Sequence, residues 1–366
     1  MKLRILERPL KALLVRIESA FNRRAGREYI PATTETFCIE TTGACNLKCR
    51  FCAYEKKQSS RANMPQSLFV PAVEQALALG YREFHLTPCT GDVFMDPRLF
   101  EKLSYLEANA QVRAYHFFTN FTILDPAKID RLLNLKKLSS IVISIYGHDE
   151  ASFIALTKSE NKVYRRLLEN MSYLLDQRAR WPFVVSIGFR STFDVPADGS
   201  TDLLQMIESY RNAGVGVHSS HGIYNNWGGY VSQADVGDLN LRILPSNSTY
   251  KSGACVKLFD SFQVTSSGIV NACSCRDVDA TLRIGDLATM SLSEIVSLNN
   301  PAYRLLIDEQ QAGHFRPVCQ SCDFYRSIYH QPSNFRRHHI PTQSRETFFM
   351  RLENYKNAAT ASEGEL

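Results

Sequence analysis

From residue 34 to residue 219 the chain alternates between two hydrophobic periods. Runs rich in β-branched and aromatic residues at 36–41, 83–87, 112–119, 140–145, 183–190 and 214–219 predict six strands. Between them, 66–79, 97–109, 126–133, 163–180 and 200–212 carry apolar residues at helical spacing. A strand can lie parallel to its predecessor only after a crossover of about a dozen residues or more, and these segments supply such crossovers. The pattern predicts an α/β fold, a partial (β/α)6 TIM-like barrel. In such barrels the chemistry collects on the loops after the strands' C-terminal ends.

After residue 245 the alternation stops and a Gly/Ser/Cys-rich stretch begins. The expected organisation is an N-terminal helix over 1–33, the barrel over 34–245, a β-hairpin/helix region over 246–330 and an extension over 331–366. With 44% hydrophobic and 22% charged residues, 366 residues can bury a large core without disulfides. No stretch of 18 apolar residues occurs, so a membrane-spanning helix is not expected.

Charge is unevenly placed. Residues 1–27 hold eight Lys/Arg and two acids, a balance of +6, which leaves −1 of the total +5 for the rest. A body without a basic surplus does not predict nucleic-acid binding. Leu3, Leu6, Leu10, Leu13, Leu14, Ile17 and Phe21 recur at helical spacing among those charges. Such a basic amphipathic helix can lie on an anionic membrane face, or dock on the protein's own body or a second subunit. Pro9 is expected to interrupt its first turns. Lys2, Arg4, Glu7, Arg8 and Lys11 break any signal-peptide apolar region, which points to the cytoplasm, with peripheral contact at the inner membrane face as an option.

Ten cysteines sit in this chain: Cys38, Cys45, Cys49, Cys52, Cys89, Cys255, Cys273, Cys275, Cys319 and Cys322. Clustered cysteines in a cytoplasmic chain read as metal ligands or redox groups. The loop after the first strand, Gly43-Ala44-Cys45-Asn46-Leu47-Lys48-Cys49-Arg50-Phe51-Cys52-Ala53-Tyr54, has Cys-x3-Cys-x2-Cys spacing. Three thiolates can hold three irons of a four-iron cluster and leave one iron open. Zinc is the alternative, though its sites usually combine paired Cys-x2-Cys units with a fourth ligand.

This triplet, with Phe51 at the aromatic position, resembles the radical S-adenosylmethionine (SAM) superfamily signature CxxxCxΦC. Gly91-Asp92, within Thr87-Pro88-Cys89-Thr90-Gly91-Asp92-Val93, lies where that family carries GGEP, whose groups hold the SAM amino end. Thr90, Asp92 and Val93 replace a glycine, the glutamate and the proline. Thr119-Asn120 and Ser144-Ile145-Tyr146-Gly147 resemble the family's third- and fourth-strand motifs. The resemblance implies an enzyme with a [4Fe-4S] cluster whose open iron is chelated by SAM, fed by an external one-electron reductant of flavodoxin or ferredoxin type. A 5′-deoxyadenosyl radical then abstracts a substrate hydrogen. It assigns Cys45, Cys49 and Cys52 as iron ligands. SAM contacts fall to Phe51, Tyr54, Gly91, Asp92, Asn120, Ser144 and Arg190, the last suited to a carboxylate.

In the tail, Ser266-Ser267-Gly268 predicts a hairpin turn between Cys255 and Cys273, and Cys319-Gln320-Ser321-Cys322 follows. This resembles the shortened SPASM, or twitch, region, implying an auxiliary [4Fe-4S] cluster on Cys255, Cys273, Cys319 and Cys322, with zinc as the alternative. Cys275 and Cys38 read as packed side chains, and Cys89 as a thiol beside the SAM loop.

The twitch layout resembles aminoglycoside diol dehydratases and related cyclitol dehydrogenases, which implies a small hydroxylated substrate, a sugar or cyclitol, dehydrogenated or dehydrated. A peptide-modifying maturase is the alternative, and an iron–sulfur regulatory protein without turnover the alternative of another class. Tyr146, His148 and Asp149, after the fourth strand, are the candidates to take the hydroxyl proton.

Overall fold

The computed structural model describes residues 2–32, 36–197, 199–246 and 249–363. All six expected strands form: β1 (Thr36–Ile39), β2 (Glu83–His85), β3 (Ala114–Thr119), β4 (Leu138–Tyr146), β5 (Val184–Ser191) and β6 (Gly216–His221). They lie side by side in chain order, every neighbouring pair parallel. The chain opens with α1 (Lys2–Arg24), and the crossovers are α2 (Gln66–Ala78), α3 (Leu99–Ala108), α4 (Pro126–Leu132), α5 (Glu150–Thr157), α6 (Asn161–Asp176) and α7 (Asp202–Asn212).

Period 2 sorts the strand side chains. In β4, Ile141, Ile143 and Ile145 are fully buried and share one core with Leu167 and Met171 of α6. The alternate residues Ser144 and Tyr146 face the barrel's lumen, as do Cys38, His85 and Arg190 of other strands. Cys38 is thus buried as expected, but on the lumenal side, lining a cavity.

Two departures from the sequence reading concern helices. Helix α1 runs unbroken through Pro9, whose fixed φ suits a helix and whose cost is the missing N–H. Helix α5 was not expected, because its eight residues are too few to show a period. Its signal was Asp149-x-x-Ser152, a reciprocal capping box in which Asp149 Oδ1 accepts from Ser152 N at 2.8 Å.

The barrel does not close on itself. The free edge of β1 is taken by β7 (Gln263–Val264), paired parallel with Gln263 opposite Cys38 and Val264 opposite Ile39. Strand β8 (Ile269–Asn271) returns antiparallel through a turn that places Gly268 at φ +90°, and β9 (Arg283–Asp286) pairs antiparallel to it. The C-terminal hairpin therefore extends the barrel sheet to nine strands, and the segment after it brings Cys275 to the lumen wall. Helices α8 (Lys257–Asp260), α9 (Leu292–Ile295), α10 (Pro301–Gln311) and α11 (Pro317–Ser321) surround the hairpin. Among the described residues no helix is long and apolar enough to cross a membrane.

Candidate active site

The loop after β1 is fixed from below by main-chain bonds rather than by regular structure. Lys48 N and Arg50 N donate to Thr157 O and Leu156 O at 3.0 and 2.9 Å, so the end of α5 carries the loop. Cys52 N closes a turn onto Cys49 O at 2.9 Å. Phe51 points away from the lumen and wedges between Tyr146 and Tyr224, ring centroids 4.9 and 4.8 Å away. Trp227 Nε1 donates to Phe51 O at 2.9 Å. The three thiols Cys45, Cys49 and Cys52 are left on the cavity side.

A second loop, after β2, is stitched to the first. Asp92 N donates to Ala44 O at 2.8 Å. Gly91 has φ +106°, and a Cβ there would stand 2.9 Å from Thr42 O and 3.1 Å from Ala44 O, so only glycine permits this approach. The Asp92 side chain is buried; Oδ2 accepts from Thr119 Oγ1 at 2.9 Å and Asn120 N at 2.7 Å, and Oδ1 from Phe94 N at 3.1 Å. None of these donors is charged, and burial pushes the carboxyl's pKa up. Asn120 continues the network, with Nδ2 2.8 Å from Asn46 Oδ1 and 3.8 Å from Cys45 Sγ.

Together these loops line a cavity of about 570 Å³ that runs from the three thiols across the lumen to α8. Tyr54, Thr90, Gly91, Asp92, Asn120, Ser144, Tyr146 and Arg190 stand at the thiol end. Thr36, His85, Lys257, Asp260 and Ser261 stand at the other. Buried polar atoms on these walls that have no hydrogen-bond partner among the described residues include Thr90 Oγ1, His85 Nε2 and Asp260 Oδ1. Asp260 Oδ2, by contrast, accepts from Lys257 Nζ at 3.1 Å. Burial holds the His85 imidazole far below its ordinary pKa, hence neutral, and it stacks on His116 at 4.6 Å.

A second, smaller chamber lies behind α8 and is lined by Cys255, Cys273, Cys275, Cys319 and Cys322. Gln310 of α10 braces two of them: its Oε1 accepts from Cys255 N at 2.8 Å and its Nε2 donates to Cys319 Sγ at 3.3 Å. Phe324 N donates to Cys322 Sγ at 3.3 Å. Lys257, Cys275, Arg276 and Phe324 line both spaces, so one thin wall separates them. Arg276 is held in that wall between the rings of Trp227 and Phe324, at 5.3 and 4.9 Å.

Family models match both halves of this arrangement: the radical SAM superfamily over residues 39–187, and the SPASM iron-sulfur cluster-binding domain over residues 255–323. The chain belongs to the radical SAM superfamily. Its barrel therefore carries a [4Fe-4S] cluster and SAM, and its C-terminal region an auxiliary iron–sulfur cluster. No curated protein sequence matches it. Among solved structures it is similar to BtrN in complex with AdoMet and 2-DOIA, at 13% identity and TM-score 0.51 over 80% of this chain and 94% of that one. It is similar also to Streptococcus suis SuiB bound to precursor peptide SuiA, at 13% identity and TM-score 0.52, covering 91% and 79%. A third is native anSMEcpe with bound AdoMet, at 14% identity and TM-score 0.50, covering 89% and 99%. At these identities the likeness is one of fold.

The donor chemistry of this radical SAM protein suits its cofactors. Desolvation raises the pKa of all three loop thiols, Cys52 to about 11, and those of Cys255, Cys273, Cys319 and Cys322 in the second chamber, Cys255 to about 12. Buried thiols become thiolates when a metal compensates their charge.

Several expected residues stand elsewhere than the sequence implied. His148 and Asp149 do not line the cavity: His148 Nδ1 is 2.9 Å from Ser191 Oγ, and Asp149 caps α5. Tyr146 does line it, but burial pushes its phenol pKa up, so it keeps its proton and is a poor base. Phe51 supports the cysteine loop from behind and is not among the residues that line this cavity. Asp260, Lys257 and His85 were missed, because a short helix turn and a mid-strand histidine carry no motif. Cys275 lines the chamber wall, and Cys89 faces the cavity with its Sγ 3.5 Å from Gln263 Oε1.

Proposed function

We propose that this enzyme abstracts hydrogen from a small hydroxylated substrate, a sugar or cyclitol, and oxidises or dehydrates it. The observation that carries this reading is the cavity's polar far end, where Asp260 Oδ1 and His85 Nε2 lack hydrogen-bond partners among the described residues, beside a lumen of about 570 Å³. That volume falls in the range of about 300–1,000 Å³ for small-ligand sites, and SAM must share it. An extended peptide has little room there.

Bound and reduced, the cluster–SAM pair supplies a hydrogen-abstracting radical, and the auxiliary cluster supplies an electron acceptor, with Cys45, Cys49 and Cys52 holding the first and Cys255, Cys273, Cys319 and Cys322 the second. The chain's own groups divide the remaining work. Arg190 and Ser144, at neighbouring strand ends on the cavity wall, would hold SAM's carboxylate. Asp92, whose donors are all neutral, offers uncompensated negative charge to SAM's ammonium, and Thr90 Oγ1 is an additional acceptor. Lys257 pins one Asp260 oxygen, which aims the other at the substrate. For oxidation of a carbinol, the radical that bound SAM supplies would take the C–H hydrogen, and Asp260 Oδ1 would accept the hydroxyl proton. The electron left on carbon as C–O becomes C=O would go to the auxiliary cluster that Cys255, Cys273, Cys319 and Cys322 would hold, and Cys275 and Arg276 form the wall between the two spaces. For dehydration, the neighbouring hydroxyl would leave as water with the proton taken by Asp260, and one electron from the external reductant with one proton from solvent would quench the carbon radical that remains. His85, neutral and stacked, positions a hydroxyl.

The test is anaerobic turnover of the reduced enzyme with SAM and a panel of sugars and cyclitols, read by mass spectrometry. Formation of 5′-deoxyadenosine with a product lighter by two hydrogens or by one water supports the reading. Substrate-dependent turnover of peptides alone overturns it.

A further inference from the structure

Helix α1 is built inside out. Ser19 and Asn22 are buried, and Asn22 Nδ2 donates to Tyr329 O at 3.0 Å. Glu18 pairs with His330 and Arg336, each at 2.8 Å, while Arg16 lies over Tyr250 at 5.0 Å. The helix thus docks through its polar side. Its apolar side faces water: Leu13, Leu14, Ile17 and Phe21 are 51, 56, 58 and 62% exposed. Positions 13, 14, 17 and 21 form one continuous stripe at 3.6 residues per turn. A helix held only for its own fold would bury that stripe and expose Ser19 and Asn22, as hydrophobic burial demands.

We infer that this stripe is a docking surface for an anionic membrane. Contiguous exposed apolar surface on a soluble body marks an interaction site. The partner is chosen by charge: residues 1–27 carry +6 against −1 for the remaining chain, and Arg24 and Arg27 are exposed beside the stripe. A second copy of the chain would set +6 against +6, whereas acidic headgroups complement it. Basic residues beside an apolar stripe are the arrangement of a helix lying in the plane of the interface, with its apolar side chains among the acyl ends. The polar docking contacts then hold the enzyme's body to the surface.

The experiment is sedimentation of the intact, iron-loaded protein with vesicles of equal parts phosphatidylglycerol and phosphatidylcholine, and with phosphatidylcholine alone. Binding to the anionic vesicles at low salt, weakened by salt and absent on the neutral ones, is expected. Ile17→Glu with Phe21→Glu, at positions already exposed and checked by unchanged iron content, should weaken it by roughly 100-fold. Failure to bind anionic vesicles, equal binding to both kinds, or a protein dimer that the double variant splits would overturn the inference.

Discussion

The main-chain N–H of Asn120 donates to the buried carboxylate of Asp92 at 2.7 Å. Through that bond the loop after β2 and the end of β3 are one unit, and Asn120 Nδ2 passes the constraint on to Cys45. Asp92→Ala would leave three buried donors without their acceptor. The expected cost is about 1–3 kcal/mol of stability, with SAM affinity reduced. Thermal unfolding and SAM titration of the reconstituted enzyme check it.

Gly91→Ala tests the same junction by sterics. Its φ of +106° and the carbonyls of Thr42 and Ala44 leave no room for a methyl group. A penalty of about 1–3 kcal/mol is expected, with SAM binding impaired while the cluster's iron is kept. Iron analysis beside SAM titration separates the two effects.

Iron counting tests the ligand assignment. The wild type should hold about eight irons, and replacing Cys45, Cys49 and Cys52 with Ala should remove about half of them and abolish SAM cleavage. Cys255→Ala or Cys319→Ala should disturb only the auxiliary cluster. Cys275→Ser, although the residue lines the same chamber, should keep the full iron content. Loss of iron from that variant would make Cys275 a ligand.

Asp260 and His148 give opposite expectations. Asp260→Asn removes the proton acceptor and should lower substrate turnover by roughly 10²–10⁴-fold while SAM cleavage continues. His148→Ala lies outside the cavity, so turnover should hold and only stability should fall. The split between product and 5′-deoxyadenosine reads both.

The sequence exposed what is periodic or motif-bound. Strand β4 announces itself through Ile141, Ile143 and Ile145 alternating with polar residues, and the Cys45–Cys49–Cys52 spacing survives any context. What depends on a loop's course did not show. Asp149 looked like a proton acceptor because it follows β4, yet the chain turns it into the cap of α5. Asp260 is distant in sequence from the barrel and reaches its cavity only because β7 pairs with β1. That pairing is a tertiary fact with no local signature.

Substrate identity is tested most directly by isotope transfer. The reduced enzyme is given SAM and a sugar or cyclitol carrying deuterium at its carbinol carbons, and 5′-deoxyadenosine is examined by mass spectrometry. Deuterium should appear in the 5′-deoxyadenosine from at least one such polyol. Transfer from a labelled peptide, with none from any carbohydrate, would contradict the account.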